Sequence, residues 1–214
     1  MIMDVHQKVR IDLQYLPSLE YFTVFHKYQN IEIESHEYFV KQSYRNRAHI
    51  LSANGQSTLS IPMIGGNSKI LAKDIMIDNG QRWLNTHWRG IISAYGKAPF
   101  FEYYADYFHD IFFREHTRLF DLNHELLTLC LKLIGHDNVV ALSEKYDIET
   151  PHETLDLRSS IHPKKDFTEN KFYQPYSYIQ LFGKDFVPNL SIIDALFCEG
   201  PNTSNIIHQS SVSV

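Results

Sequence analysis

The first thirty-five residues constrain the fold more than any other stretch. Residues 9–13 alternate as Val-Arg-Ile-Asp-Leu, the period-two pattern of a strand with one apolar face. Pro17 then fixes its own φ and restricts Leu16 before it. Leu19, Phe22, Phe25 and Tyr28 follow at three-residue steps, one face of a helix entered at Pro17 or Ser18 and ended by Asn30. Residues 31–35, Ile-Glu-Ile-Glu-Ser, alternate again. Strand, turn, helix, strand is how a parallel α/β unit begins. The expected fold is therefore α/β, with a mixed or mainly parallel sheet flanked by helices.

The remaining pattern adds to that frame. Asn54-Gly55 is a short-range hairpin signal that pairs residues 49–51 with 57–62. Gly65-Gly66-Asn67 marks a turn before a strand at residues 73–77. Residues 83–134 read as a helical middle section: Trp88, Ile91, Ile92 and Tyr95 form one stripe, Pro99 interrupts, and aromatics recur through residues 100–113. Asp121 is expected to cap a helix over residues 122–134, with Gly135 as the stop. A short helix or strand is expected at residues 139–146, a polar loop at 150–174, and a last helix capped by Asn189. Residues 1–200 thus read as one domain, and 201–214, rich in Ser and Asn, as a flexible tail.

Composition removes several function classes. Lys and Arg total 20 against 25 Asp and Glu, so the molecule as a whole repels phosphate backbones and no nucleic-acid partner is expected. No stretch reaches the roughly 18 to 20 apolar residues of a membrane helix. Polar residues interrupt the first sixteen positions, unlike a secretory signal, so the expected location is the cytoplasm. Cys130 and Cys198 sit in apolar surroundings and read as buried thiols. Twelve histidines show no convincing ligand spacing, so neither a metal nor a cofactor is expected.

Chemistry-bearing residues gather in three places. Residues 36–47 hold His36, Glu37, Lys41, Arg45, Asn46 and Arg47 with Tyr38 and Tyr44 interleaved. Lys41, Arg45 and Arg47 suit an anion clamp on a phosphate or carboxylate; the same residues also suit a solvated helical face. His87, beside Trp88 and upstream of Tyr95, is either a general base or a hydrogen-bonded structural histidine. His162, Lys164 and Lys165 form either an anion-contacting loop or plain solvated charge.

These residues carry a resemblance. Tyr15-Leu16-Pro17, then Glu34-x-His36-Glu37-Tyr38-x-x-Lys41-Gln42-x-Tyr44-Arg45-Asn46-Arg47, is similar to the WbqC-like protein family. So are His87-Trp88-x-x-Ile91-x-Ser93-Ala94-Tyr95, Ile161-His162-Pro163-Lys164-Lys165 and Pro188-Asn189-Leu190-Ser191-Ile192-x-Asp194. The likeness spans about residues 13–201 and looks closest to a Bacteroidetes-type branch. Two departures stand out: the Pro that many relatives carry between Gln and the residues before Tyr-Leu-Pro is missing after Gln14, and residues 133–163 are shorter than in longer members.

The resemblance implies a role in bacterial surface-polysaccharide (O-antigen) biosynthesis and favours one shared anionic pocket. The leading expectation is a transferase acting on a nucleotide-activated sugar or its acyl donor. His36 or His87 would move the proton. Tyr15, Lys41, Tyr44, Arg45, Asn46, Arg47, Trp88, Tyr95, His162, Lys164 and Lys165 would hold the substrate. The alternatives are a non-catalytic ligand-binding or partner protein and a nucleotidyltransferase-like enzyme. An anionic small molecule such as a nucleotide sugar is the expected partner, with self-association left open.

Overall fold

The computed structural model describes residues 8–65, 69–136 and 140–212. Strand β1 (Lys8–Asp12) leads through a turn into helix α1 (Leu19–Lys27) and strand β2 (Ile31–Glu34). A hairpin of β3 (Arg47–Ser52) and β4 (Gly55–Ser60) follows, then the two-residue strands β5 (Met63–Ile64) and β6 (Met76–Ile77). Three helices make the middle section: α2 (Trp83–Tyr95), α3 (Phe101–Phe112) and α4 (Leu119–Leu133). Strands β7 (Ala141–Leu142) and β8 (Thr154–Asp156) precede α5 (Ile192–Glu199) and α6 (Thr203–Ser210).

The main sheet is parallel throughout, in the order β7-β2-β1-β8, so the α/β expectation holds. β1 pairs with β2 from Val9 opposite Ile31 to Asp12 opposite Glu34. Val9, Ile11, Ile31 and Ile33 enter the core, while Arg10, Asp12, Glu32 and Glu34 alternate with them and are also buried. Two elements at the centre of the sheet thus carry four charged side chains out of water, which obliges those groups to pair with one another.

Several elements depart from the sequence expectation. Residues 150–174 are not wholly loop: β8 forms the sheet edge, with Lys8 opposite Thr154. Three residues carry too short a pattern to show period-two alternation, and their place is set by pairing with β1. Residues 203–210 are helix α6 rather than tail; Ile206 and Ile207 are buried and α6 packs along α1. Helix α4 starts at Leu119 after Arg118, and Asp121 lies in its first turn, accepting from Arg118 Nε at 2.9 Å. Gly135 does end that region, at φ +70°. A single 3-10 turn, Ala72–Asp74, takes the first two residues of the strand expected at 73–77, and strand β6 keeps the last two, Met76 and Ile77. Gly66, Asn67 and Val139 lie outside the described residues, as do Asp4 and His6.

Asn189 caps a helix, but a different one. Its Oδ1 accepts from the Glu20 N–H in the first turn of α1, and its Nδ2 donates to Glu20 Oε2. Helix α5 follows its N-cap residue Ser191, whose Oγ instead donates to the Leu16 carbonyl at 2.8 Å. Leu19 N–H donates to Leu190 O, and Ile192 N–H donates to Pro17 O. The turn after β1 is therefore held by the far end of the chain. Gly200, at φ +55°, lets the chain turn from α5 toward α6 where an added Cβ would lie 2.4 Å from the Phe100 ring.

Candidate functional site

The carboxyl ends of β1, β2, β7 and β8 lie along one edge of the parallel sheet, the place where ligands bind in open α/β folds. They deliver Asp12 and Gln14, Glu34 to Glu37, Ser143, and Asp156 to Ser159 to that edge. The segment 36–47 closes over it and brings Arg45 inward.

Arg45 is 2% exposed, and its guanidinium faces carboxylates. Nε donates to Glu37 Oε1 at 2.6 Å and Nη2 to Glu37 Oε2 at 2.8 Å. Nη2 also donates to Ser159 Oγ at 2.9 Å, and Nη1 lies 3.4 Å from Asp12 Oδ2. Asp12 accepts from the Ser159 N–H and from Gln14 Nε2. Ser159 holds φ +56°, a left-handed conformation costly for a residue with a Cβ, and that bend is what turns its N–H onto Asp12. Burial is the largest influence on Glu37 and raises it from 4.5 to about 7 against the opposing pull of Arg45.

Arg45 is thus the counter-charge of two buried acids, not an anion clamp. Lys41 is exposed, and Arg47 is half-buried at the start of β3, its Nε buried without a hydrogen-bond partner among the described residues. Lys41, Arg45 and Arg47 line neither the cavity at Trp83 and Phe112, nor the one beside Lys8 and Thr154, nor the one beside Tyr176 and Glu199. The converging trio expected from the sequence is not formed, because the carboxylates at the strand ends claim Arg45 first.

His36 sits in a different setting on the same edge. Glu34, fully buried, accepts through Oε1 from the His36 N–H at 2.8 Å and from Ser143 Oγ at 2.7 Å. Ser35 Oγ donates to the Ser143 carbonyl at 3.1 Å. His36 Nδ1 lies 3.0 Å from Ser35 Oγ and 3.4 Å from Ser143 Oγ. With the Ser143 proton committed to Glu34 and the Ser35 proton to a carbonyl, Nδ1 is left to donate. The neutral ring then carries its lone pair on Nε2, which makes no hydrogen bond among the described residues; His36 is half-exposed. An oriented imidazole with a free Nε2 is the geometry of a general base.

His87 is the reverse case. It is buried, Nδ1 lies 3.0 Å from the Tyr15 hydroxyl, and Nε2 lies 3.2 Å from the Ser60 carbonyl. The carbonyl can only accept, so Nε2 donates and Nδ1 receives the Tyr15 proton. Burial, against the Ser60 contact, lowers its pKa to about 4. Both nitrogens are spent on joining the turn after β1 to the β4 end and α2.

The other expected site residues divide the same way. Tyr95 is fully buried, donating to Asp194 Oδ1 at 2.9 Å and accepting from Leu51 N–H. Asn46 Nδ2 donates to the Ile61 carbonyl, and the Tyr44 hydroxyl lies 3.4 Å from His49 Nδ1. Trp88 packs on Phe101, His109 and Phe112. These hold the fold. His162, Lys164 and Lys165 do belong to the edge: Lys165 Nζ donates to the Ser159 carbonyl at 3.0 Å, and Gln14 Nε2 donates to the Ile161 carbonyl. Burial first, then the charge of Arg45, lowers the His162 pKa. Asp12, Gln14, Glu34, Ser35, Ser143, Arg158 and Ser159 were missed. Acidic residues next to the last position of the two strands expected at 9–13 and 31–35, Asp12 and Glu34, were the available signal.

Among the described residues no group of three or more His, Cys, Asp or Glu is arranged to hold a metal ion. Nor is any helix long and apolar enough to cross a membrane. The profile of the WbqC-like protein family matches residues 14–172 and 159–206, nearly the whole chain. The chain belongs to the WbqC-like protein family. Comparison with curated proteins and with solved structures returned no match. The motifs of this WbqC-like protein now have places: Tyr15 and His87 form the buried pair, and Glu34, His36, Glu37 and Arg45 build the sheet edge.

Proposed function

We propose that this WbqC-like protein is a transferase in surface-polysaccharide synthesis, acting on a nucleotide-activated sugar or its acyl donor at the carboxyl edge of the sheet. The observation that carries the reading is the contact of His36 Nδ1 with the Ser35 and Ser143 hydroxyls, which leaves Nε2 as an open base beside buried Glu34. In this reading Nε2 takes the proton of an acceptor hydroxyl or amine as that atom bonds to the donor carbon. The bond from that carbon to the nucleotide phosphate, or to the acyl thiolate, breaks and its electron pair leaves with that group. Lys164 and Lys165 supply positive charge beside Arg45 and Ser159 for the departing anion, while His162, its pKa lowered, stands there as a hydrogen-bonding ring.

The test is turnover of UDP- or dTDP-amino sugars, alone and with acyl-CoA, by the wild type and two variants. His36→Gln removes the base and is expected to lower turnover about 100-fold or more at unchanged melting temperature. His87→Gln is expected to lower stability. Full turnover by His36→Gln would sink the assignment. A second reading, a partner protein for another enzyme, is favoured by Tyr103 and Tyr107, which stand 72% and 55% exposed one turn apart on α3.

A further inference from the structure

A cavity of about 480 Å3 opens between the start of α2 and the turn joining α3 to α4, away from the residues of the sheet edge. Its size falls within the roughly 300–1,000 Å3 of small-molecule pockets. Trp83, Phe112 and Phe113 line it, giving flat apolar surface. Trp83 and Phe112 are buried and held from behind: Trp83 packs edge-on against His87 at 5.2 Å, and Phe112 against Tyr15 at 6.3 Å. The aromatic wall is therefore the outer side of the Tyr15–His87 pair.

The charged part of the lining is net cationic. Arg82 and Arg114 stand against the single acid Glu115, in a molecule whose overall charge is −5. Arg114 Nη1 is bonded to Glu125 on the surface, whereas the Arg82 side chain makes no hydrogen bond or ion pair among the described residues. Trp83 Nε1 is bonded to Asn79 Oδ1, which fixes the indole. A fixed aromatic wall beside unneutralised guanidinium suits a ligand with a planar ring and an anionic group.

We propose that this cavity binds a nucleoside phosphate, with the base against Trp83 and Phe113 and the phosphate at Arg82 and Arg114. It draws on the reading above only in taking a nucleotide as the ligand's class. Titration of the full chain with UMP, uridine and inorganic phosphate tests it, read by calorimetry and by tryptophan fluorescence in a Trp88→Phe background where Trp83 is the reporter. UMP is expected to quench saturably and to bind at least about tenfold more tightly than uridine or phosphate, with Arg82→Glu weakening UMP at least about tenfold. His36→Gln is expected to bind UMP like the wild type, so loss of turnover and loss of this site are separable. Absence of saturable UMP binding, an unchanged affinity in Arg82→Glu, or equal affinity for phosphate alone would overturn the proposal. If Trp88→Phe does not fold, 31P line broadening of UMP by wild type and Arg82→Glu gives the same comparison.

Discussion

Replacing Arg45 by Met should cost far more stability at pH 8 than at pH 5. The side chain is buried against Glu37 on two bonds and lies 3.4 Å from Asp12. Even with Arg45 present, burial holds Glu37 at about 7 instead of 4.5. At about 1.4 kcal/mol per tenfold, ionising that buried carboxyl costs about 3 kcal/mol. The folded state binds more protons than the unfolded one between pH 4.5 and 7, so this contribution declines as pH rises through that window and is fully lost above it. Without the guanidinium, both acids lose their counter-charge, and breaking such a buried pair costs about 3–5 kcal/mol. At pH 5 Glu37 escapes by taking a proton, leaving Asp12 as the uncompensated charge, so the deficit should fall to roughly half. Urea unfolding of both proteins at the two pH values measures this, with a midpoint shift on the order of 2 M at pH 8. A deficit under about 1 kcal/mol at pH 8, or one larger at pH 5, would refute the buried-cluster account.

Three further outcomes follow from single contacts. Tyr15→Phe leaves His87 Nδ1 buried without its donor and should cost about 1–3 kcal/mol in urea unfolding, while imidazole shifts in the wild type should show His87 neutral at pH 5.5. Ile207→Ala, in the helix expected from sequence to be a loose tail, should cost about 2–5 kcal/mol; a loss of a few tenths would mean α6 contributes little. Gly200→Ala should lower the melting temperature sharply, since its Cβ would meet Phe100 and its φ is +55°; calorimetry showing an unchanged transition would contradict the packing of α5 on α3.

How legible the site was depended on whether a residue's partners were local. His36 and its neighbours in one short segment were readable as chemistry because they are adjacent in the chain. Their roles were not. Arg45 and His87 looked alike as free functional groups, yet Arg45 is claimed by Glu37 and Asp12, and His87 by Tyr15 and Ser60, 72 and 27 positions away. The decisive partner of His36, Ser143, sits 107 positions downstream on the end of a two-residue strand that shows no pattern of its own. Asn189 likewise read correctly as a cap, but the helix it caps lies 169 positions back.

Periodicity, turn residues and chain order settled the parallel βαβ start, the hairpin at Asn54-Gly55 and the three middle helices, since those depend on neighbours within a few residues. The tertiary structure alone decided the edge strand β8, the docking of α6, and which of two histidines keeps a free nitrogen. Burial is the reason: once Asp12, Glu34 and Glu37 leave water, every donor within reach is drawn to them, and only folding determines which donors those are.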